Sequence, residues 1–314
     1  MSSFFTAVNA VAPMFLMLTL GWFLRRIGFL GEHTLKDLNK LCFKVFIPLN
    51  VYYNICNVDL AAVFQPRLLL WSIATMAIVF VLSILTALPV ERGKKRRGAL
   101  AHCIFHANFV IFGTLIGTSL CGEGNIGVIS LLIAVVVPVQ NVLSVILLEA
   151  SREGGGRVDA KELAISVLKN PFVIAAFAGF ATQLVGLRWP SFLSTTFRDL
   201  GRCGTPAALI AMGGLFNFGT VGANLRTILI GCAVRLIVLP ALLIAPTFAL
   251  GFRGAEFVGL MCIFISPIAT SSFNLATQLD SDGDLTSQLV VFSSAFCLVT
   301  VFLWIWFLGG LGAF

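Results

Sequence analysis

The sequence predicts an all-α polytopic membrane protein of ten transmembrane helices, laid out as two inverted five-helix repeats in which helices four and nine are broken. Three observations predict it. Of 314 residues, 58% are hydrophobic and 11% charged, and the mean hydropathy of +0.99 means more apolar surface than a soluble core can hide. Apolar runs of about 20 residues recur along the whole length, each long enough to cross a bilayer. Finally, the loop ERGKKRRG gathers Arg92, Lys94, Lys95, Arg96 and Arg97, and basic loops stay cytoplasmic.

Ten spans are expected at about 5–25, 36–57, 68–88, 99–119, 127–149, 163–185, 204–218, 224–248, 256–278 and 286–308. The first run, Phe4 to Leu24, is too long for a signal h-region and lacks a basic leader and a small-residue cleavage site, so it counts as a helix. With the basic loop inside, fifteen Lys and Arg are cytoplasmic and five external, Arg235 lies within a span, and all 21 are accounted for. Both termini are then external, on a multi-pass protein of the plasma (inner) membrane if bacterial. The net charge of +7 is thus a topology signal; no nucleic acid is expected, because the basic run is short and tethered between two spans, and its contact is with membrane lipid. Eight cysteines without a C-x-x-C pair read as packing residues.

The polar, glycine-rich stretch SREGGGRVDAKE divides the chain into a first repeat over 1–150, a cytoplasmic linker over 151–162 and a second repeat over 163–314. Five spans on each side force the halves into opposite orientations. Their echo is weak but ordered. FIPLNVYYNI in span two faces GTPAALIAMGGLF in span seven, and span four, HANFVIFGTLIGTSLCGEGN, matches span nine in its polar middle and glycine-rich acidic end. Interrupted spans in corresponding positions of inverted halves point to a transporter's binding site.

Span nine carries the plainest interruption. In SPIATSSFNLATQ, Pro267 removes an amide donor and Ser266, Thr270, Ser271, Ser272 and Asn274 crowd what should be mid-bilayer. Polar groups there cost several kcal/mol each unless buried in protein or facing water. In span four, Asn108, Phe109, Gly113 and Thr114 are candidates for the facing wall. Two readings stand: local unwinding around Asn108, Gly113, Thr114, Gly117 and Thr118, or close helix approach at Gly113 and Gly117. Asn141, beside Pro138 and Gln140 in span five, either edges the cavity or cross-links helices. Asn50, Tyr53 and Asn54, after Pro48, are candidates for a wall or gate.

Two further residues are candidates for coupling or counter-charge. His102 and His106 share a helix face, but no carboxylate stands by as a third ligand, so no metal site is assigned and His106 is read as a titrating group. Arg235 costs at least ~2.5 to 3.5 kcal/mol inside a span. It is either a counter-charge for an anionic substrate or a strut for backbone carbonyls freed by a broken helix. No Asp or Glu lies in the middle of any span: Asp59, Glu149 and Glu256 are near ends, and Asp280, Asp282 and Asp284 are in a loop. The mid-membrane carboxylate that carries a cation is therefore missing, whereas broken-helix N-termini suit an anion.

The motifs PMFLMLTLGWFLRRIGFL, FIPLNVYYNI, KNPFVIA, GTPAALIAMGGLF, AVRLIVLPALLIAP and SPIATSSFNLATQ, in that order and across essentially the whole chain, resemble the auxin efflux carrier family, which includes malate-permease-like and PIN-formed members. The resemblance implies a scaffold from helices 1, 2, 6 and 7 and a transport domain from helices 3–5 and 8–10. It also implies crossing of helices four and nine at their breaks, elevator-like alternating access, and a homodimer through the scaffold. Asn108 is similar to the asparagine before the span-four crossover and Pro267 to the first proline of span nine. Family members often have proline at the crossovers themselves, where Leu115 and Thr270 are expected here.

The expected function is secondary active or facilitative transport of a small organic anion, a carboxylate, with Asn108 and the set from Thr270 to Asn274 contacting it. The alternatives are a non-transporting membrane sensor and a transporter of a neutral or cationic solute. No clustered nucleophile, base or metal set marks an enzyme, and no cofactor is expected. A sensor would normally carry a soluble output domain, for which no loop is long enough.

Overall fold

The computed structural model describes residues 2–56, 65–122, 126–152 and 160–312, with some helical side chains, those of 2–11, Thr114 and Thr118 among them, outside the description. Among the described residues every element is helical. Helix α1 (Ser2–Arg26) is followed by α2 (Glu32–Leu41) and α3 (Ile47–Cys56), then α4 (Pro66–Val90), α5 (Lys94–Phe105), α6 (Phe109–Cys121) and α7 (Ile126–Ala150). In the second half come α8 (Ala160–Lys169), α9 (Pro171–Leu184), α10 (Ser191–Leu215), α11 (Val221–Ala233), α12 (Leu239–Ala249), α13 (Gly254–Ile265), α14 (Ser271–Gln278) and α15 (Gly283–Gly310). The expected linker over 151–162 thus overlaps the start of α8, and most of it lies outside the described residues.

Four described stretches are long and apolar enough to cross a membrane: Pro66–Val90, Leu131–Ala150, Phe218–Ala249 and Gly283–Gly310. Each expected span coincides with a helix or a pair of helices. Span seven is corrected: helix α10 begins at Ser191, not near 204. Its first half, SFLSTTFRDLGRC, is polar enough to escape a hydropathy reading, yet it contains no residue that stops a helix.

Proline explains the joints. Pro171 opens α9 behind Asn170, whose side chain caps the Phe172 N–H at 3.0 Å. Pro48 and Pro240 each follow a π-helical turn, at Cys42–Phe46 and Val234–Val238, which widens the helix where the proline N–H is missing. The carbonyl of Leu236, to which Pro240 cannot donate, accepts the indole N–H of Trp304 at 3.0 Å.

Small residues set the closest packing. Gly21 and Gly213 lie where α1 crosses α10, and a Cβ on either would collide with a carbonyl oxygen of the other helix, Ile210 or Leu18. One large apolar cluster joins α4–α7 with α11–α15 and part of α1 and α10, and a second fills the space between α3, α7, α9, α10 and α14.

At the end of the molecule that carries the basic turn, Glu91 is bound by Arg96 at 2.8 Å and 3.0 Å and by the Thr227 hydroxyl. Arg96 also reaches Asp282 at 3.1 Å and Asn224 at 2.9 Å, and Asn224 donates to Gln288 at 2.8 Å. These bonds fasten the α4–α5 turn to α11 and α15. Arg96 holds the Glu91 carboxyl below the usual carboxylate range. A depressed carboxyl stabilises the fold above its unfolded value, and that stability is lost as pH falls through the folded value. Melting in detergent should therefore decline as pH drops below about 4.5, the ordinary value, and Glu91→Gln should start lower and flatten this acid limb. In the same assay Gly213→Ala should sharply reduce the yield of folded protein, whereas Gly310→Ala, with nothing near its Cβ position, should be neutral.

Candidate functional site

The two interruptions in the helices lie side by side. Between α5 and α6 the chain is extended over 106–108, and between α13 and α14 it is broken over 266–270. Asn108 N donates to Pro267 O at 2.8 Å and Ala269 N donates to His106 O at 2.9 Å, so Ala107 and Ile268 form an antiparallel bridge. Each break thus satisfies backbone groups that the other leaves open, as burial requires. The Ile268 amide is met by Ser293 Oγ of α15 at 3.2 Å.

This position separates the two readings of span four. The unwound part is His106 to Asn108, which includes Asn108 of the expected set, whereas Gly113, Thr114, Gly117 and Thr118 lie on regular helix α6, where a Cβ on Gly117 would run into Ile129 of α7. Gly113 is needed because a Cβ there would meet the Phe109 ring. Leu115 also lies within α6 and so is not a crossover residue, whereas Thr270 does stand at the end of its break, immediately before α14 and without a side-chain cap.

A cavity of about 100 Å³ opens against the paired breaks. Asn108, Phe109, Thr270, Ser271 and His106 form one wall; Asn50 and Asn54 of α3 and Asn141 of α7 form others. Six amide or hydroxyl side chains expected from the sequence thus meet in one place. The Asn108 Nδ2 atom is buried there without a hydrogen-bond partner. Tyr53, Gly113, Pro267, Ser272, Asn274 and Arg235 stand outside the described wall, and the Thr114 side chain lies outside the described residues. Pro267 contributes its carbonyl to the bridge, and Ser272 Oγ is 3.4 Å from His106 Nδ1. Asn274 is fully buried, with both amide atoms unpartnered.

Two further polar residues lie on the wall. Gln140 stands beside Asn141, with which it was read as edging the cavity or cross-linking helices, and Thr205, next to Pro206 in the span-seven motif, was not a candidate. Their neighbours on the wall, Val51, Ala134 and Phe172, are apolar.

The electrostatics come from the backbone. No Asp, Glu, Lys or Arg is among the described lining residues. The first turns of α6 and α14 both begin at the cavity, and helix starts carry unpaired N–H groups and the positive end of the helix dipole. The opposite ends, at the close of α5 and α13, meet Arg235. It is 1% exposed and donates through Nε to Ser266 O at 2.9 Å, through Nη1 to Ile104 O at 3.3 Å and through Nη2 to Ile263 O at 2.6 Å. That is the geometry of the strut rather than of a side chain reaching the cavity. The His102 ring lies tilted against that of His106, with centroids 5.1 Å apart and planes at 56°, and neither ring nitrogen of His102 has a partner.

A second, charged vestibule of about 1020 Å³ lies beyond α14, bordered by Arg25, Glu32, Lys36, Asn39, Thr277 and Asp282. It is on the side of the basic turn, since Asp282 binds Arg96 and Asp280 binds Lys95. Helix α14 therefore stands between the cavity and the vestibule, and Asn39 of α2 donates to Thr277 Oγ1 at 3.0 Å across the gap.

The family model described as membrane transport protein matches residues 6–305. The chain belongs to the auxin efflux carrier family of membrane transport proteins. It is also similar to an uncharacterized transporter of Methanothermobacter thermautotrophicus, with 22% identity over 311 residues covering 96% of this chain and 98% of the relative. It is accordingly an integral membrane protein and a transporter.

If the cavity is where solute sits, filling it should stop transport without unfolding the protein. Asn108→Leu and Ser271→Leu should each lower uptake about tenfold, the loss of roughly one hydrogen bond to solute together with the space it occupies. Membrane yield and melting temperature should stay near wild type. Unimpaired uptake by either variant would remove that residue from the site.

Proposed function

We propose that this carrier moves a small organic anion, a carboxylate, across the plasma membrane. The observation that carries the reading is the convergence of the α6 and α14 N-termini on a cavity without a charged wall, with the buried Asn108 amide unpartnered between them. Two N-terminal poles and a free N–H donor match a carboxylate. Thr270 and Ser271 supply hydroxyl donors, and the apolar wall of Val51 and Phe172 takes the organic part.

In this reading the fold is ten spans in two inverted five-helix repeats. A scaffold of spans one, two, six and seven, namely α1–α3 and α8–α10, faces a transport domain made of the rest and joins a second copy into a homodimer. The cavity sits between them, with Asn50, Asn54, Phe172 and Thr205 on the scaffold side. Alternating access then consists of elevator-like sliding of the transport domain past the scaffold. The contacts of α14 with the scaffold support this: they are apolar at Leu275 and Leu279, with one side-chain hydrogen bond to α2 among the described residues, Asn39 to Thr277, and apolar surfaces can slide without breaking a polar network.

Purified protein in liposomes tests the reading. Labelled malate, other carboxylates and indole acids are offered with and without an imposed proton gradient. Saturable uptake of at least one anion is expected, and the gradient arm separates uniport from coupling through His106, the titratable residue on the described wall. Absence of flux for every anion, from folded and correctly inserted protein, would overturn it.

A further inference from the structure

We infer that Arg235 gives the central cavity its electrical sign: it neutralises the negative poles of the two helices that end at the crossing and leaves the positive poles of the two that begin there. The inference rests on reading the cavity as an anion site. It concerns a residue that does not touch the solute.

Four half-helices meet at the paired breaks. Each helix end carries roughly half an elementary charge, positive at an N-terminus and negative at a C-terminus. Two of each kind would sum to about zero, and a neutral crossing has no preference for an anion. Arg235 changes that sum. Its donors go to Ile104 O in the last turn of α5, to Ile263 O in the last turn of α13 and to Ser266 O, the residue that caps α13. One full positive charge is thus set against two negative halves. No carboxylate pairs with it among the described residues, so its charge is spent on these carbonyls. What remains is about one positive charge from the starts of α6 and α14, at the wall where Asn108 Nδ2 is buried without a partner.

The arginine lies close enough to act. It borders a chamber of about 10 Å³ with Thr75 and Gln140. Gln140 lines both the chamber that Arg235 borders and the central cavity, in an interior where charges are weakly screened. All three nitrogens are used, a fork that lysine cannot reproduce although it keeps the charge.

Acetate and acetamide test this, being nearly equal in shape and different in charge. Their relative affinities are measured together by saturation-transfer NMR on detergent-purified, folded protein. The wild type should prefer acetate. Arg235→Gln should reduce the acetate-to-acetamide ratio about tenfold, and Arg235→Lys should keep most of it. Thr75→Asp, which sets a carboxylate beside an intact Arg235, should reproduce the loss and serves if Arg235→Gln does not fold. A purely structural role would weaken both ligands alike and leave the ratio unmoved. A folded Arg235→Gln or Thr75→Asp variant with the wild-type ratio would overturn the role of Arg235 while leaving the anion reading in place. A wild type indifferent to charge would overturn the anion reading and this inference with it.

Discussion

Everything at the centre of this protein depends on one exchange of backbone hydrogen bonds. A helix interrupted within a membrane leaves amides and carbonyls that neither lipid nor absent water can satisfy. Here two interruptions share the problem: Asn108 donates to Pro267, and Ala269 donates to His106. Neither break is complete alone. The pairing holds the starts of α6 and α14 at one spot and the ends of α5 and α13 at another, so it sorts helix poles as well as satisfying bonds.

That sorting allows a site with almost no charged side chains to have a sign. The wall consists of amides, hydroxyls, one imidazole and apolar groups. Its charge comes from peptide dipoles, which are fixed in direction and need no rearrangement when a solute arrives. Arg235 stands behind this arrangement, bound to three carbonyls that would otherwise oppose it. The price of burying a guanidinium is offset by those bonds and by the two helix ends it faces.

How much of this was legible in the sequence depended on whether its cause was local. Pro267 announces its own break, because a missing N–H is a property of that residue. The break at His106–Asn108 has no such signal: its carbonyl and amide are claimed by residues some 160 positions away. Asn108 was in the expected set, glycines at 113 and 117 extended that set downstream, and Leu115 came from matching the chain to the family's crossover prolines. The first half of α10 was hidden by its polarity, since hydropathy reports lipid contact and not helicity. By contrast, the polar candidates Asn50, Asn54, Asn108, Asn141, Thr270 and Ser271 were visible because polar side chains amid apolar runs need a common reason to be there. Arg235 was visible as an anomaly, and its two readings were separable only once the carbonyls around it were placed.

Helix α14 has a consequence of its own. At eight residues it is about 12 Å long, well short of a hydrocarbon core of about 30 Å, and the broad charged vestibule begins at its far end. An aqueous vestibule carries the potential of its own compartment inward to that point. The electric field across the membrane is then concentrated over the short remaining barrier, where a unit charge gains about 2.3 kcal/mol per 100 mV. On the proposed reading, a small displacement of α14 with an anion at its start would therefore carry that charge through a large share of the membrane voltage.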